Sequence, residues 1–172
     1  MIDRARWELS LHESAHAVVV LAEGVELQGA CLLRGNGGLA WHAECSGFQA
    51  ALIAAAGLVS DAISNTIAMP ETPAAPSPPE PLATAPATEP PSWMTKNQVP
   101  VVSDAACLAL WTISGCLLEP ERWSQRYSWL LGLAERILLD GKERWLTLAM
   151  QLYRDGFLLP PGARVVRDGE EK

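Results

Sequence analysis

Two of the chain's three histidines, His12 and His16, stand four residues apart with Glu13 between them, so that "LHESAHAVVV" spells H-E-x-x-H. On a helix, positions i and i+4 share one face, a turn apart. Two imidazole nitrogens can then reach a single metal ion. Zinc takes imidazole nitrogen at about 2.0–2.1 Å and tolerates an open fourth position. Glu13 falls beside such a metal without binding it, placed to take a proton from an attacking water and later to return one to a leaving amine. The metal acidifies that water and polarises a scissile carbonyl. The pattern thus supplies two ligands and a base, and a third ligand has to come from elsewhere in the chain. The plainer reading is an exposed helix face that carries two histidines and an acid. The apolar remainder of the helix favours the metal, as does a small-residue-rich helix further on that could cover it.

The element that must carry these residues is predicted over 3–22, where Trp7, Leu11, Ala15, Val18, Val19 and Ala22 recur at three- and four-residue steps. Asp3 suits its N-cap, and Gly24 lies just beyond its end. Residues 27–34, LQGACLLR, read as a strand, GNGG at 35–38 as a turn, and LAWHAEC at 39–45 as the returning strand of a small hairpin. Residues 47–64 are alanine-rich and apolar almost all round, which predicts a buried helix. Ten of the 13 prolines fall between residues 70 and 100. The segment at about 66–100 is therefore expected to be a flexible insertion within one domain, because such composition cannot pack a core. Helices return over 103–118, with Ser103 as N-cap, over 120–139, with Pro120 in the first turn, and over 141–154. A polar tail occupies about 162–172. The expected fold class is mostly α with a small β-hairpin, and the expected organisation a single domain, 1–172.

Composition narrows the partners. A net charge of −7 and a pI near 4.9 argue against nucleic acid, which requires a basic face, and against an anionic membrane surface. No segment of signal-peptide type opens the chain, and no run approaches the roughly 20 apolar residues that span a bilayer. Cys31, Cys45, Cys107 and Cys116 form no C-x-x-C pair. These features lead us to expect a cytoplasmic protein whose thiols stay reduced and serve as small buried apolar groups. His42 and Cys45 form H-x-x-C, but no second Cys/His pair lies nearby to complete a structural zinc site, so His42 reads as a hairpin residue near the cleft. Trp111, Trp123, Trp129 and Trp145 crowd the C-terminal half and suggest core anchors and self-association into a homo-oligomer.

The motif helix, "SLHESAHAVVVLAEG", resembles that of the FtsH-family zinc metalloprotease domain, which typically reads H-E-A-G-H-A before an apolar run. "ACLLRGNGGLAW" (30–41) is similar to the family's strand–turn segment. "LIAAAGLVSDAIS" (52–64) is similar to its next helix, with Gly57 and Asp61 at matching places. "SDAACLALW" (103–111) resembles the segment that holds the third zinc ligand, and "ERILLDGKERWLTLAMQLYRDGFL" (135–158) its closing helical pair. The likeness covers most of the chain outside the Pro-rich segment. It departs from the family in two ways. No G-x-x-x-x-G-K-S/T and no transmembrane segment is read in the sequence, and the Pro-rich insert lengthens the gap between the motif helix and the candidate aspartate, where "NQVPVVSD" also replaces the usual Gly-rich approach.

The resemblance implies Zn2+ held by His12, His16 and Asp104. Asp104 can equally be a first-turn acid that interacts favourably with its helix dipole. Asp61 is the rival ligand. It lies on the helix expected to cover the motif, where a carboxylate needs a partner, and it can instead orient a histidine from outside the metal shell. Gly38, Leu39 and Ala40 are candidates for an edge strand along which an extended peptide lies. The expected activity is ATP-independent, zinc-dependent hydrolysis of unstructured peptides or unfolded chains, fed where necessary by a separate ATPase partner. The alternative is a catalytically silent interaction or regulatory module of the same fold.

Overall fold

The computed structural model describes residues 3–33, 37–67, 103–114 and 119–158. Helix α1, Arg4–Ala22, starts where Asp3 accepts a hydrogen bond from the Arg6 amide at 3.2 Å. It ends before Gly24, whose φ of 69° turns the chain toward the sheet. Strands β1 (Leu27–Leu33) and β2 (Gly37–His42) pair antiparallel, with Leu33 opposite Gly37, Ala30 opposite Ala40 and Leu27 opposite His42. A bulge between Leu27 and Gly29 adjusts the register.

Helix α2, Gly47–Ile63, opens with a reciprocal capping box between Ser46 and Gln49 and closes in a single turn, Ser64–Thr66. Helix α3, Asp104–Ser114, begins after Ser103, whose Oγ accepts from the Ala106 amide at 3.4 Å. Pro120–Arg122 form a tight turn leading into α4, Trp123–Asp140. Helix α5, Lys142–Asp155, follows after Gly141, and β3, Phe157–Leu158, returns to β1. The three-stranded sheet has the order β2-β1-β3, so β2 has one neighbour among the described residues.

The fold is mostly α with a small antiparallel sheet. Helix α2 occupies its middle, against α1, α3 and α4. It is buried nearly all round, from Ala51 to Gly57 and again at Val59 and Ser60, which its apolar circumference requires. Its alanines let the neighbouring backbones approach closely. On the other side of α1, α5 inserts Trp145, fully buried, whose indole N–H donates to the Leu11 carbonyl at 2.9 Å. Burying each such large side chain contributes roughly 1.5–3 kcal/mol. This contact grips α1 one residue before His12.

Several expectations shift. The second strand spans 37–42 rather than 39–45, because Gly37 and Gly38 pair with β1 and residues 43–45 must cross to the α2 cap. The sheet gains β3, which the sequence reading left out. Pro120 starts a turn, and the α4 helix begins three residues later. Contrary to the expected lack of a long apolar run, Gly47–Thr66 reaches 20 residues with a mean hydropathy of 1.4. Half of it is buried inside the fold, where its alanines and glycine serve packing. Cys31, Cys45 and Cys107 are free and half-buried rather than core residues, and burial raises all three thiols above the usual range. Cys116, the Pro-rich segment from 68 onward and the tail at 162–172 lie outside the described residues.

Candidate metal centre

The periodicity of α1 buries Leu11, Ala15 and Val19, and this sets His12, Glu13 and His16 along the side that faces α2 and β2. His16 is buried, and its Nδ1 lies 2.7 Å from the Ile53 carbonyl of α2. A carbonyl only accepts, so Nδ1 carries the proton and Nε2 the lone pair. His12 is held in the same way, with Nδ1 2.8 Å from Asp61 Oδ1. Both Nε2 atoms turn toward Asp104 Oδ2, at 3.1 Å from His12 and 3.2 Å from His16. Two lone pairs and a carboxylate oxygen at these separations repel one another unless a cation, either a proton or a metal ion, stands between them.

The donor set fits zinc. Ligands about 2.0–2.1 Å from a tetrahedral ion lie roughly 3.3 Å from one another, close to the two Nε2–Oδ2 separations. The three ligand atoms all fall within 4.8 Å of one another, and no other group of three or more such residues does so among the described residues. Gly57 supplies the space. A Cβ at that position would lie 2.5 Å from Asp104 Oδ2, 2.6 Å from His16 Cε1 and 2.7 Å from His12 Cε1. Helix α2 therefore crosses directly over the donors, and only glycine leaves room for them.

Electrostatics fit the same picture. Burial alone would lower the His12 imidazole, but its hydrogen bonds with Asp104 and Asp61 and the Asp61 and Glu13 charges push it up to about 9. Burial alone would raise Asp104, yet His12 and His16 hold it well below the usual carboxylate range. The site thus attracts positive charge. Glu13 is buried and, despite the pull of His16 and His12, burial raises its carboxyl above the usual range. Its side chain lies against Gly38 of β2, where an added Cβ would stand 2.6 Å from the carboxyl carbon.

A cleft of about 540 Å³ opens here, lined by His12, Glu13, His16 and Asp104 at its polar end and by Gly38, Leu39 and Ala40 along one side. His12, His16 and Asp104 are brought together. Asp61 is not in their group, standing exposed on the far nitrogen of His12. Two features escaped sequence reasoning. The Ile53 carbonyl is a backbone group with no residue-type signal. The Glu13–Gly38 contact was hidden because nothing in "GGLAW" states which helix residue the strand passes.

No family model matches the chain, and no curated protein or solved structure matches it.

Proposed function

We propose that this chain is a zinc-dependent, ATP-independent metallopeptidase of FtsH-protease type that hydrolyses peptide bonds in unstructured peptides or already unfolded chains. The observation that carries the proposal is the convergence of His12 Nε2, His16 Nε2 and Asp104 Oδ2 beneath Gly57, with the Glu13 carboxylate beside them at the head of a cleft. His12, His16 and Asp104 would hold the metal. When bound, zinc supplies Lewis acidity, lowering the pKa of water and polarising a carbonyl.

The chain's own groups do the rest. Asp61 and the Ile53 carbonyl fix the two imidazole tautomers, so that both Nε2 lone pairs are directed inward. Glu13, with its carboxyl raised by burial, is the group placed to accept a proton from water and to pass it to the departing amine. The edge of β2 that has no strand neighbour among the described residues offers backbone N–H and C=O groups to an extended peptide. A separate ATPase partner would be needed to deliver folded substrates.

Zinc content and cleavage of an unstructured peptide, measured on wild type and Glu13→Gln, test the proposal. The expected result is about one zinc per chain in both proteins, with cleavage by wild type alone. Absence of zinc after reconstitution, or undiminished cleavage by Glu13→Gln, would sink it. Zinc without cleavage in wild type would leave a silent interaction module.

A further inference from the structure

His42 ends β2 inside the same cleft and takes no part in the proposed hydrolysis. Its Nδ1 lies 2.7 Å from the Ala43 carbonyl, which can only accept, so Nδ1 carries a proton and Nε2 is the ring nitrogen left to accept among the described residues. Gly38, Ala40 and His42 alternate along the strand with Leu39 and Trp41 and share one face of the sheet. That face passes Glu13, since a side chain at Gly38 would run into it. Four residues at about 3.3 Å each place the His42 backbone roughly 13 Å along the strand from Gly38. An imidazole cannot bridge that distance to the water or carbonyl beside Glu13. At that remove the polar group is better placed for recognition than for a direct acid–base or oxyanion role.

We propose that His42 is a specificity-determining subsite that accepts a hydrogen bond from a lysine side chain of an extended peptide, three or four residues from the bond that is cut. The position of the cut rests on the peptidase function; the recognition of lysine does not. The spacing follows from a peptide paired along β2, which advances at the same rise per residue as the strand. The choice of lysine follows from charge and hydrogen bonding. An accepting Nε2 selects donors. Among the described residues that line the cleft there is no lysine or arginine, whereas Glu13 and Asp104 line it. Exposed Glu44 lies two residues beyond His42, and the chain carries a net charge of −7. A bound dication offsets Glu13 and Asp104 but leaves Glu44 and the surrounding field. A glutamate at that position of the peptide would meet a lone pair within an acidic surface.

The test uses fluorescent decapeptides in which a single Lys, Ala or Glu is moved along the sequence. Binding to zinc-loaded Glu13→Gln protein is read by fluorescence anisotropy, and kcat/KM is read on wild type, with the cut bond located by mass spectrometry. The expected result is one position, three or four residues from the cut, at which Lys binds roughly tenfold more tightly than Glu, with kcat/KM following the same order. In His42→Phe, which keeps a planar ring but has no acceptor, that ratio falls below about threefold while zinc content is retained. His42→Gln, whose amide oxygen can accept, recovers part of the ratio. A lysine preference that survives His42→Phe, a preference for Glu, or binding that ignores charge at every position overturns the proposal. A His42-dependent lysine preference in binding without any cleavage by wild type supports the subsite and removes the peptidase function, so the two failures are distinct.

Discussion

The backbone of Gly38 lies against the side chain of Glu13 so closely that a Cβ on residue 38 would collide with Glu13 Cγ and Oε1. Strand β2 therefore defines one limit of where the carboxylate can sit. Gly38→Ala should push Glu13 off its place while leaving His12, His16 and Asp104 untouched. A displacement of about 1 Å in a catalytic group can cost roughly a hundredfold. The expected outcome is a fall in kcat of at least tenfold with zinc content unchanged. Parallel loss of both would mean that the hairpin itself had moved.

Leu39→Pro and Ala40→Pro probe the same strand as a substrate edge. Proline removes a backbone donor and resists pairing. Peptide cleavage should drop more than zinc binding, because the ligands come from α1 and α3 and not from β2. Equal loss of cleavage and zinc, with a lowered melting temperature, would point to misfolding and not to a lost edge.

Gly57→Ala separates metal binding from folding. The new methyl would enter the triangle formed by Asp104 Oδ2, His16 Cε1 and His12 Cε1. Alanine is also the better helix residue by about 1 kcal/mol, so the metal-free fold gains in propensity while the donors are forced apart. Zinc affinity should fall at least hundredfold by competition with a chelating dye, while the metal-free protein still melts cooperatively, the helix gain partly offsetting the lost His12–Asp104 contact. Retention of wild-type affinity would mean that the metal, if bound, lies elsewhere.

The motif helix and its caps were legible because each depends on local chemistry: Asp3 at the start, Gly24 past the end, and a three-and-four spacing in between. Ser103 announced α3 in the same way, and so put Asp104 in a first turn. What brings Asp104 over the histidines is the packing of α3 on α2, a long-range event with no local mark. Strand β3 was illegible for a related reason. Phe157 and Leu158 are two residues whose pairing with Cys31 and Ala30 gives no alternation to read. Glycines at 37 and 38 look like a turn in the sequence, yet they pair with β1 and are what lets the second strand pass Glu13.

Asp104 and Asp61 should differ in kind. Asp104 Oδ2 is within 3.2 Å of both Nε2 atoms, whereas Asp61 touches only Nδ1 of His12, from a largely exposed position. Asp104→Ala removes a ligand and should abolish stoichiometric zinc binding. Asp61→Asn leaves all three ligands and should weaken zinc roughly 10–100-fold, as loss of an orienting carboxylate does. Metal titration of the two variants decides between them, and the reverse order would make Asp61 the ligand.

In the metal-free chain the pH response follows from the same contacts. His12 is lifted from 6.5 to about 9 in the fold, because Asp104 and Asp61 outweigh burial. A raised folded-state value means stabilisation that is complete below about 6.5 and is lost as pH climbs through about 9. Glu13, raised from 4.5 by burial, acts in the same sense from lower pH. Asp104, depressed from 3.8, contributes stability that is present above that value and fades only as pH falls below it. Melting temperature without metal should therefore decline between pH 6 and 9. Zinc competes with the proton on His12, so its affinity and the melting-temperature increment it gives should grow over the same interval. Thermal denaturation at pH 6.0 and 9.0, with chelator and with zinc, reads both trends. A metal-free stability that does not change across this window would mean that His12 is not held between the two aspartates in solution.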